Sequence, residues 1–399
     1  MEAVREYGGI DPDSTKPLAD VVDGYTYFCT GDVIVAKITP CFENGKGALA
    51  TGLCNDVGFG TTELYVLRAS FRVERRFLLY LTFGHHFRRI GTASMYGAGG
   101  QKRISENFIR DFRHPVPGLL EQRAIADFLD HETAKIDALV AKKERLIELL
   151  QEKRTALITR AVTRGLDPNA PMKDSGVEWL GEIPAHWDEK RVKWVARMES
   201  GHTPDKKVDA YWTDGDIPWV SLNDTRRLKA HDYISDTKYY TNELGLQNSS
   251  ARLLPPRSVV FSRDATIGLC AITERAMAVS QHFIAWICGK EVTPEYLLRV
   301  FDAMQEELER LTMGATLRTI GMPEVNTLAT PVPPADEQER IVGHIQRECV
   351  HLDALIAKVQ EAIDHLKEFR NALIFAAVTG KIDVRAAFDE PAAALGDTR

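Results

Sequence analysis

The chain has six cysteines in 399 residues, at positions 29, 41, 54, 270, 288 and 349, and no two are spaced as a CxxC pair. That spacing argues against a zinc site or a disulfide framework and points to a reducing compartment, the cytoplasm. No run approaches the roughly 18 apolar residues of a membrane span, and the opening MEAVREYGGIDPD has no apolar signal core. A GxGxxG after a strand, a P-loop and an NPPY-like amino-methyltransferase tetrad are all missing, so neither cofactor binding nor ATP hydrolysis has a recognisable site. Ser, His and Cys are scattered without the support that a nucleophile needs. A net charge of −7 makes no global case for nucleic acid, which therefore has to rest on local patches. What remains is ordinary globular composition, 44% hydrophobic and 27% charged, in a chain long enough for two or three domains.

One stretch is written twice. Glu121 to Thr163 reads EQRAIADFLDHETAKIDALVAKKERLIELLQEKRTALITRAVT, and a shift of 216 finds EQERIVGHIQRECVHLDALIAKVQEAIDHLKEFRNALIFAAVT from Glu337 to Thr379, without a gap. The copies share Glu121 with Glu337, Gln122 with Gln338, Asp137-Ala138-Leu139 with Asp353-Ala354-Leu355, and Ala161-Val162-Thr163 with Ala377-Val378-Thr379. In the first copy Ile125, Leu129, Glu132, Ile136, Leu139, Lys143, Leu146, Leu150, Lys153 and Leu157 step by four and three, which is coiled-coil spacing. The second stripe, Ile341 to Leu373 through Leu355, Ala362 and Phe369, is more apolar. Each copy predicts a long helix of about 43 residues, or about 65 Å. Pro117 and Pro333 precede the two helices, while Gly165 and Gly380 follow them as left-handed caps. A helix of that length needs an equally long partner, and the other copy, antiparallel, is the natural one.

Each long helix follows a globular stretch with the same order of elements. In the first, Gly31–Ile38 and Glu63–Ala69 predict buried strands, Phe77–Ile90 a helix, and Gly97–Arg103 a loop ending in two cations. His85 and His86 are adjacent, so they face different sides of that helix and do not suggest a metal pair. Residues 165–176 carry the turn residues of a linker. In the second stretch Arg257–Arg263 and Gln281–Ile287 predict strands, Pro294–Leu311 a helix and Gly314–Ile320 the basic loop. A repeat of 216 places the start of the first unit some 44 residues before Met1. The expectation is a first globular domain short of its opening strands.

At this point the chain resembles the specificity subunits of type I restriction-modification systems. The resemblance rests on PGLLEQRAIADFLDHETAKIDALVAKKERLIELLQEKRTALITRAVTRGLDP, then KDSGVEWLGEIPAHW, SGHTPD and DIPWVS, and finally PPADEQERIV and AVTGKID. It implies a mixed α/β chain, two globular α+β target recognition domains separated by two long antiparallel coiled-coil helices. The expected boundaries are a first recognition domain over 1–116, a central spacer helix over 117–164, a linker over 165–176, a second recognition domain over 177–332, a C-terminal spacer helix over 333–383 and a disordered tail over 384–399. It also implies double-stranded DNA with a bipartite site as ligand, and two methyltransferase and two restriction/translocase subunits as partners. S-adenosylmethionine, ATP and Mg are then expected on those partners, none on this chain, and catalysis lies outside it. Two unlike domains held by rigid helices would read half-sites about 34 Å apart, one turn of DNA, or a multiple of that.

Readout needs Arg or Lys for guanine, Asn or Gln for adenine, and further cations and hydroxyls for phosphate. In the second domain the loop-like candidates are Thr203, Lys206, Lys207, Asn223, Arg226, Arg227, Arg263, Thr266, Arg318 and Thr319. In the first they are Lys37, Asn44, Lys46, Gln101, Lys102 and Arg103. For any one of them the bland alternative is a solvated surface charge. Pro204-Asp205 followed by Asp236-Thr237-Lys238 matches a loose nuclease pattern whose carboxylates would hold magnesium, but such short matches arise readily by chance. The competing function of another class is a structural coiled-coil adaptor without specific DNA binding.

Overall fold

The computed structural model describes residues 1–11, 15–98, 100–314 and 318–384. Of the expected tail, all but Val384 lies outside the described residues, as do residue 99 of the first basic loop and 315–317 of the second. Two compact units are present: unit 1, Met1–Leu146 with Lys358–Arg399, and unit 2, Ile147–Ala357. The division cuts both long helices, Leu119–Arg164 with 46 residues and Ala335–Val378 with 44. Gly165 and Gly380 follow them at φ +71° and +68°, the left-handed geometry that ends a helix most cheaply at glycine.

Within each unit the two helices run antiparallel. In unit 1, Ile125 and Leu129 share a buried cluster with Ile374, Ala377 and Val378, and the Arg370 guanidinium donates to Asp137 at 2.6 Å. In unit 2, Ile158, Ala161 and Val162 pack with Ile341, Ile345 and Cys349, and Arg154 donates to Asp353 at 2.5 Å. The shared aspartates of the repeat thus make the same bond twice. The predicted stripe needs one correction. Leu139 and Phe369 are exposed, at 47% and 56%, while Ile363 is buried where the stripe named Ala362. From mid-helix onward Val140, Ile147 and Ile158 in the first helix and Ile363 and Ile374 in the second join the covered side, while Lys143, Leu150 and Leu157, and Leu355, Val359, Leu366 and Leu373, stay at least half-covered as the stripe predicts. A 3.6-residue helix drifts about 20° per heptad against a 3.5 repeat, the sense of the shift seen at these positions.

Unit 1 contains β1 (Thr26–Cys29), β2 (Val33–Ala36), β3 (Gly47–Leu49), β4 (Val57–Gly60) and β5 (Leu64–Leu67). These form a β1-β4 pair and an antiparallel sheet of order β3-β2-β5. β2 reads VIVA and is buried on both faces, as a central strand of branched residues should be. The expected helix over 77–90 is broken at Gly84, whose extended backbone (ψ 137°) separates Arg75–Phe83 from His85–Ala93. Unit 2 has a milder break at the matching place, Met304 (ψ 6°), between Pro294–Ala303 and Gln305–Arg310.

Unit 2 adds β6 (Met172–Asp174), β7 (Glu182–Pro184), β8 (Asp188–Arg191), β9 (Ala196–Ser200), β10 (Ile217–Val220), β11 (Tyr233–Ile234), β12 (Tyr239–Thr241), β13 (Val259–Ser262), β14 (Cys270–Thr273), β15 (Ala278–Val279), β16 (Phe283–Cys288) and β17 (Ala329–Val332). Its main sheet has the order β11-β14-β13-β16-β9, beside a β12-β10-β15 sheet and β17-β8 and β6-β7 pairs. The run β14-β13-β16 repeats β3-β2-β5 of unit 1, again antiparallel throughout.

A buried glutamine pins each long helix to its globular part. Gln338 accepts from the Thr293 N–H at 2.9 Å and donates to the Glu291 and Pro333 carbonyls at 2.7 and 2.9 Å. Gln122 accepts from the Glu74 N–H at 2.8 Å and donates to the Arg72 and Pro117 carbonyls at 3.0 and 2.8 Å. Both side chains are 1% exposed. A buried amide is tolerated only when such bonds are made, which is why the repeat keeps this residue.

Candidate nucleic-acid interface

The two basic loops hang on one backbone frame. In unit 1 the Ile104 N–H donates to the Lys37 carbonyl at 2.9 Å and the Thr39 N–H to the Lys102 carbonyl at 2.9 Å. In unit 2 the Ile320 N–H donates to the Arg263 carbonyl at 3.0 Å and the Ala265 N–H to the Arg318 carbonyl at 2.9 Å. Arg103 bridges to Ile38 and Tyr96, and Thr319 bridges to Asp264 and Met313. Each frame therefore leads out of the central strand, β2 or β13, and holds a cation on both of its sides: Lys37 with Lys102, and Arg263 with Arg318.

Polar side chains then lock the unit 2 frame. His282 donates from Nδ1 to Asp264 at 2.7 Å, and the Thr319 hydroxyl donates to the same carboxylate. The Gln281 amide N–H lies 3.4 Å from His282 Nε2, and the Thr203 hydroxyl donates to the Gln281 carbonyl oxygen. Since a carboxylate only accepts and an amide N–H only donates, the imidazole carries its proton on Nδ1. Thr266 reaches back to Ser262, hydroxyl to hydroxyl at 3.4 Å, and Arg263 Nε lies 3.7 Å from Asp264. Gly201 lets the Thr203 loop approach. A Cβ there would stand 2.0 Å from the Ser280 carbonyl oxygen. Thr203, Arg263, Thr266, Arg318 and Thr319 are accordingly brought together around Asp264.

Other candidates fall elsewhere. Lys206 sits 5.8 Å from the Trp219 ring, whose indole N–H holds the His202 carbonyl at 3.2 Å, and the Lys207 N–H is bound within its own turn by Asp205 at 2.9 Å. Asn223, Arg226 and Arg227 are exposed around the short helix Thr225–Ala230. There Asn223 accepts from Lys238 at 3.4 Å and Arg227 pairs with Asp236 at 2.9 Å.

In unit 1 Lys37 lies 5.3 Å from the Tyr65 ring, and Arg103 is spent on Glu63 in a fork of two 2.9 Å bonds. That fork holds the Glu63 carboxyl below the usual carboxylate range. Gln101 and Lys102 are exposed. Asn44 and Lys46 belong to a different contact, with Glu6 at 3.1 Å and the Met1 carbonyl at 3.5 Å.

The nuclease pattern is not assembled as a metal site. Asp236 is engaged by Arg227, Tyr240 and its neighbour's N–H. Among the described residues no group of three or more His, Cys, Asp or Glu is placed to hold a metal. Burial pushes the Cys288 thiol up to about 12, far from a reactive thiolate. No helix among the described residues is long and apolar enough to cross a membrane. The sequence reading missed Asp264, Gln281 and His282, the centre of the unit 2 frame. The signal available was QHF at the head of a predicted strand, two polar side chains where a core strand should begin.

The sequence profile of the type I restriction modification DNA specificity domain matches residues 184–364. The chain is 45% identical over 111 residues to the Type I restriction enzyme EcoAI specificity subunit of Escherichia coli, a match that covers 28% of this chain and 19% of that subunit's length. Against the putative type I restriction enzyme MjaX specificity subunit of Methanocaldococcus jannaschii it is 21% identical over 361 residues, covering 89% of this chain and 79% of that one. The fold matches a chain from work on complex assembly and conformational transition of the type I R-M system, with a TM-score of 0.69 at 18% identity over 90% of this chain and 85% of that one. The match to the Escherichia coli subunit spans about a fifth of that protein's length; residues 184–364 thus resemble a type I restriction modification DNA specificity domain, and the fold along most of the chain is the one found in that type I R-M structure.

Proposed function

We propose that the chain reads a bipartite site on double-stranded DNA, one half-site per recognition domain, for a type I restriction-modification complex. Its own part is recognition. Methylation and cleavage, with S-adenosylmethionine, ATP and Mg, fall to two methyltransferase and two restriction/translocase subunits that dock on it in the cytoplasm. In this reading 1–116 and 177–332 are the recognition domains, 117–164 and 333–383 the spacers and 165–176 a linker.

The observation that carries the proposal is the pair of matched frames. Lys37 and Lys102 in unit 1 occupy the places of Arg263 and Arg318 in unit 2, on equivalent backbone bonds. An adaptor that only held proteins would have no need of cations at equivalent loop positions in two otherwise divergent units. Of the remaining candidates, Thr203, Thr266 and Thr319 are suited to phosphate or to orienting Gln281, while Asn223, Arg226 and Arg227 form a second contact group with Lys206 and Lys207 nearer the backbone. Gln101 and Gln281 have the amide chemistry that adenine requires. Arg103, Asn44 and Lys46 are engaged within unit 1 and have to release partners to reach DNA.

The test is selection from a library of duplexes with two randomised half-sites and a variable spacer, using the chain with its methyltransferase partner. Enrichment of one bipartite sequence at one spacing, with affinity falling as salt rises, is the expected result. Binding indifferent to sequence and to salt would leave the adaptor as the function.

A further inference from the structure

Gln281 and His282 occupy a place that both units build with the same backbone and fill with different side chains. In unit 2 the Arg263 N–H donates to the His282 carbonyl at 2.9 Å, and in unit 1 the Lys37 N–H donates to the Glu63 carbonyl at 3.0 Å. The strand registers agree, since Ser262 pairs with Phe283 as Ala36 pairs with Leu64. Gln281 and His282 therefore stand where unit 1 has Thr62 and Glu63. Each unit also locks the second residue of the pair, Glu63 by Arg103 and His282 by Asp264. Placement is shared and the chemistry displayed is not, as readers of two unlike half-sites require.

In unit 2 the lock decides which way an exposed amide faces. Asp264 is 7% exposed and accepts from His282 Nδ1 and from the Thr319 hydroxyl. With its proton on Nδ1, the ring can only accept at Nε2. The Gln281 amide then turns its nitrogen toward the ring, at 3.4 Å, and its oxygen toward the Thr203 hydroxyl. The reverse orientation would set the amide oxygen against the Nε2 lone pair. An amide oxygen accepts two hydrogen bonds and an amide nitrogen donates two, so each atom keeps one position free for a ligand. Gln281 is exposed, yet it is tethered at both amide atoms. A solvated surface glutamine would lose side-chain freedom on binding, whereas this one has already lost it.

An acceptor and a donor side by side, in fixed order, match one base in the major groove. Adenine offers its N6 amino donor beside the N7 acceptor. Guanine offers O6 and N7, two acceptors, one of which would face the amide oxygen.

We propose that Gln281 reads an adenine in the half-site of unit 2, and that Asp264 and His282 are positioning residues that set the order of donor and acceptor it presents. This rests on the DNA-recognition reading above and adds the base and the residues that select it. Thr62, at the same place in unit 1, has a hydroxyl that either donates or accepts, so the demand for adenine at this position belongs to one half-site only.

The test uses the chain assembled with its methyltransferase partner and the bipartite duplex selected by the wild type. One half-site should contain an adenine whose replacement by deaza-adenine, with carbon in place of N7, weakens binding about tenfold. Gln281→Ala should bind the two duplexes equally and lose selection at that position alone. Asp264→Asn is the sharper variant, because its amide oxygen can keep the Thr319 bond while its amide nitrogen donates to His282 Nδ1. The ring proton then moves to Nε2 and the Gln281 amide turns over. This variant should lose the adenine preference and keep the salt dependence of the wild type, a split that a merely structural role would not produce. Retained adenine selection in Gln281→Ala would overturn the proposal. So would an Asp264→Asn complex that discriminates as the wild type does, or a loss spread over both half-sites. A wild-type complex that selects no sequence at all would remove the recognition reading itself, and this proposal with it.

Discussion

Unit 2 has a five-stranded main sheet whose β16 is completely buried over Phe283, Ile284, Ala285 and Trp286, whereas the matching β5 of unit 1 is an edge strand, half-buried from Tyr65 to Leu67. The glutamine pin, the interhelix ion pair and the loop frame are nevertheless the same in both units. Residues 182–200 of unit 2, whose β9 covers the edge of β16, are therefore separable from the parts that place the loops: they add core and edge cover, and the frame of unit 1 exists without an equivalent among the described residues. Trp187→Ala in unit 2 tests this with the largest expected effect. Truncating a fully buried tryptophan costs about 4 kcal/mol, and it leaves the Glu337 carboxylate with the His186 ring but without the indole N–H. In calorimetry the unit 2 transition should fall steeply while unit 1 melts as before. If both units fall together, they do not fold as independently as their separate cores suggest.

The pins come next. Gln338→Leu and Gln122→Leu each remove a buried amide and leave one N–H and two carbonyls unmet in their unit, a loss of about 3 kcal/mol. Equal losses in the two units, read by denaturant unfolding, would support the equivalence. A neutral Gln122→Leu would break it, and would mean that unit 1 holds its helix by other contacts.

Much of this was legible in the sequence, and the reasons differ by element. The duplication exposed the helices, because every shared residue does a job visible only in a repeat: Gln122 and Gln338 pin, Asp137 and Asp353 pair, and Ala161 and Ala377 let the helices meet. Branched runs gave β2, β5, β13 and β16 to within a few residues. Leu139, Leu146, Lys153 and Phe369 of the predicted seam are exposed, because a strict 3.5 repeat drifts against a 3.6-residue helix. The frame around Asp264 was not legible, since its bonds join residues 203, 264, 281 and 319, far apart in the chain. Cations could be named by type, yet nothing local says that Arg103 and Arg227 are already paired while Lys102 and Arg318 face solvent.

The frames predict matched effects on DNA. Lys102→Ala and Arg318→Ala should each cost about 1 kcal/mol in binding at moderate salt and reduce the slope of log affinity against log salt by about one. Unfolding should be unchanged, because both side chains are exposed. If only one half-site is lost with each substitution, in methylation footprints of the assembled complex, the one-domain-per-half-site reading is sharpened. A loss at both half-sites from either substitution would contradict it.

Acid should separate the units. Asp32 is buried and held by the Arg68 fork at 2.8 and 2.7 Å and by the Cys29 N–H at 2.8 Å, and the Arg68 bonds outweigh burial to keep its carboxyl below the usual range. A depressed carboxyl stabilises the fold above its unfolded value, about 4, and that stability drains as pH falls through the folded value. The residue one place before β13 is Ser258, which does not titrate. Unit 1 should lose melting temperature more steeply than unit 2 from about pH 4 downward, and Asp32→Asn should flatten the difference while lowering unit 1 at pH 7.

The smallest effect concerns the twin ion pairs. Arg370 is nearly covered, at 12% side-chain exposure, while Arg154 stands at 38%, and their aspartates are half exposed in both units. Partly solvated pairs contribute about 0.5 kcal/mol, so Asp137→Asn and Asp353→Asn should barely move unfolding. The two should still differ in rank. Removing the Asp137 charge leaves a nearly covered guanidinium with its positive charge and less to balance it, beside the Tyr7 ring at 4.3 Å, whereas Arg154 can turn to water. Asp137→Asn is therefore expected to cost more than Asp353→Asn, and high salt should shrink the second loss more than the first, because the exposed pair is already screened. Equal losses with equal salt dependence would mean that the repeat keeps its aspartates for antiparallel register, with stability the lesser part of their role.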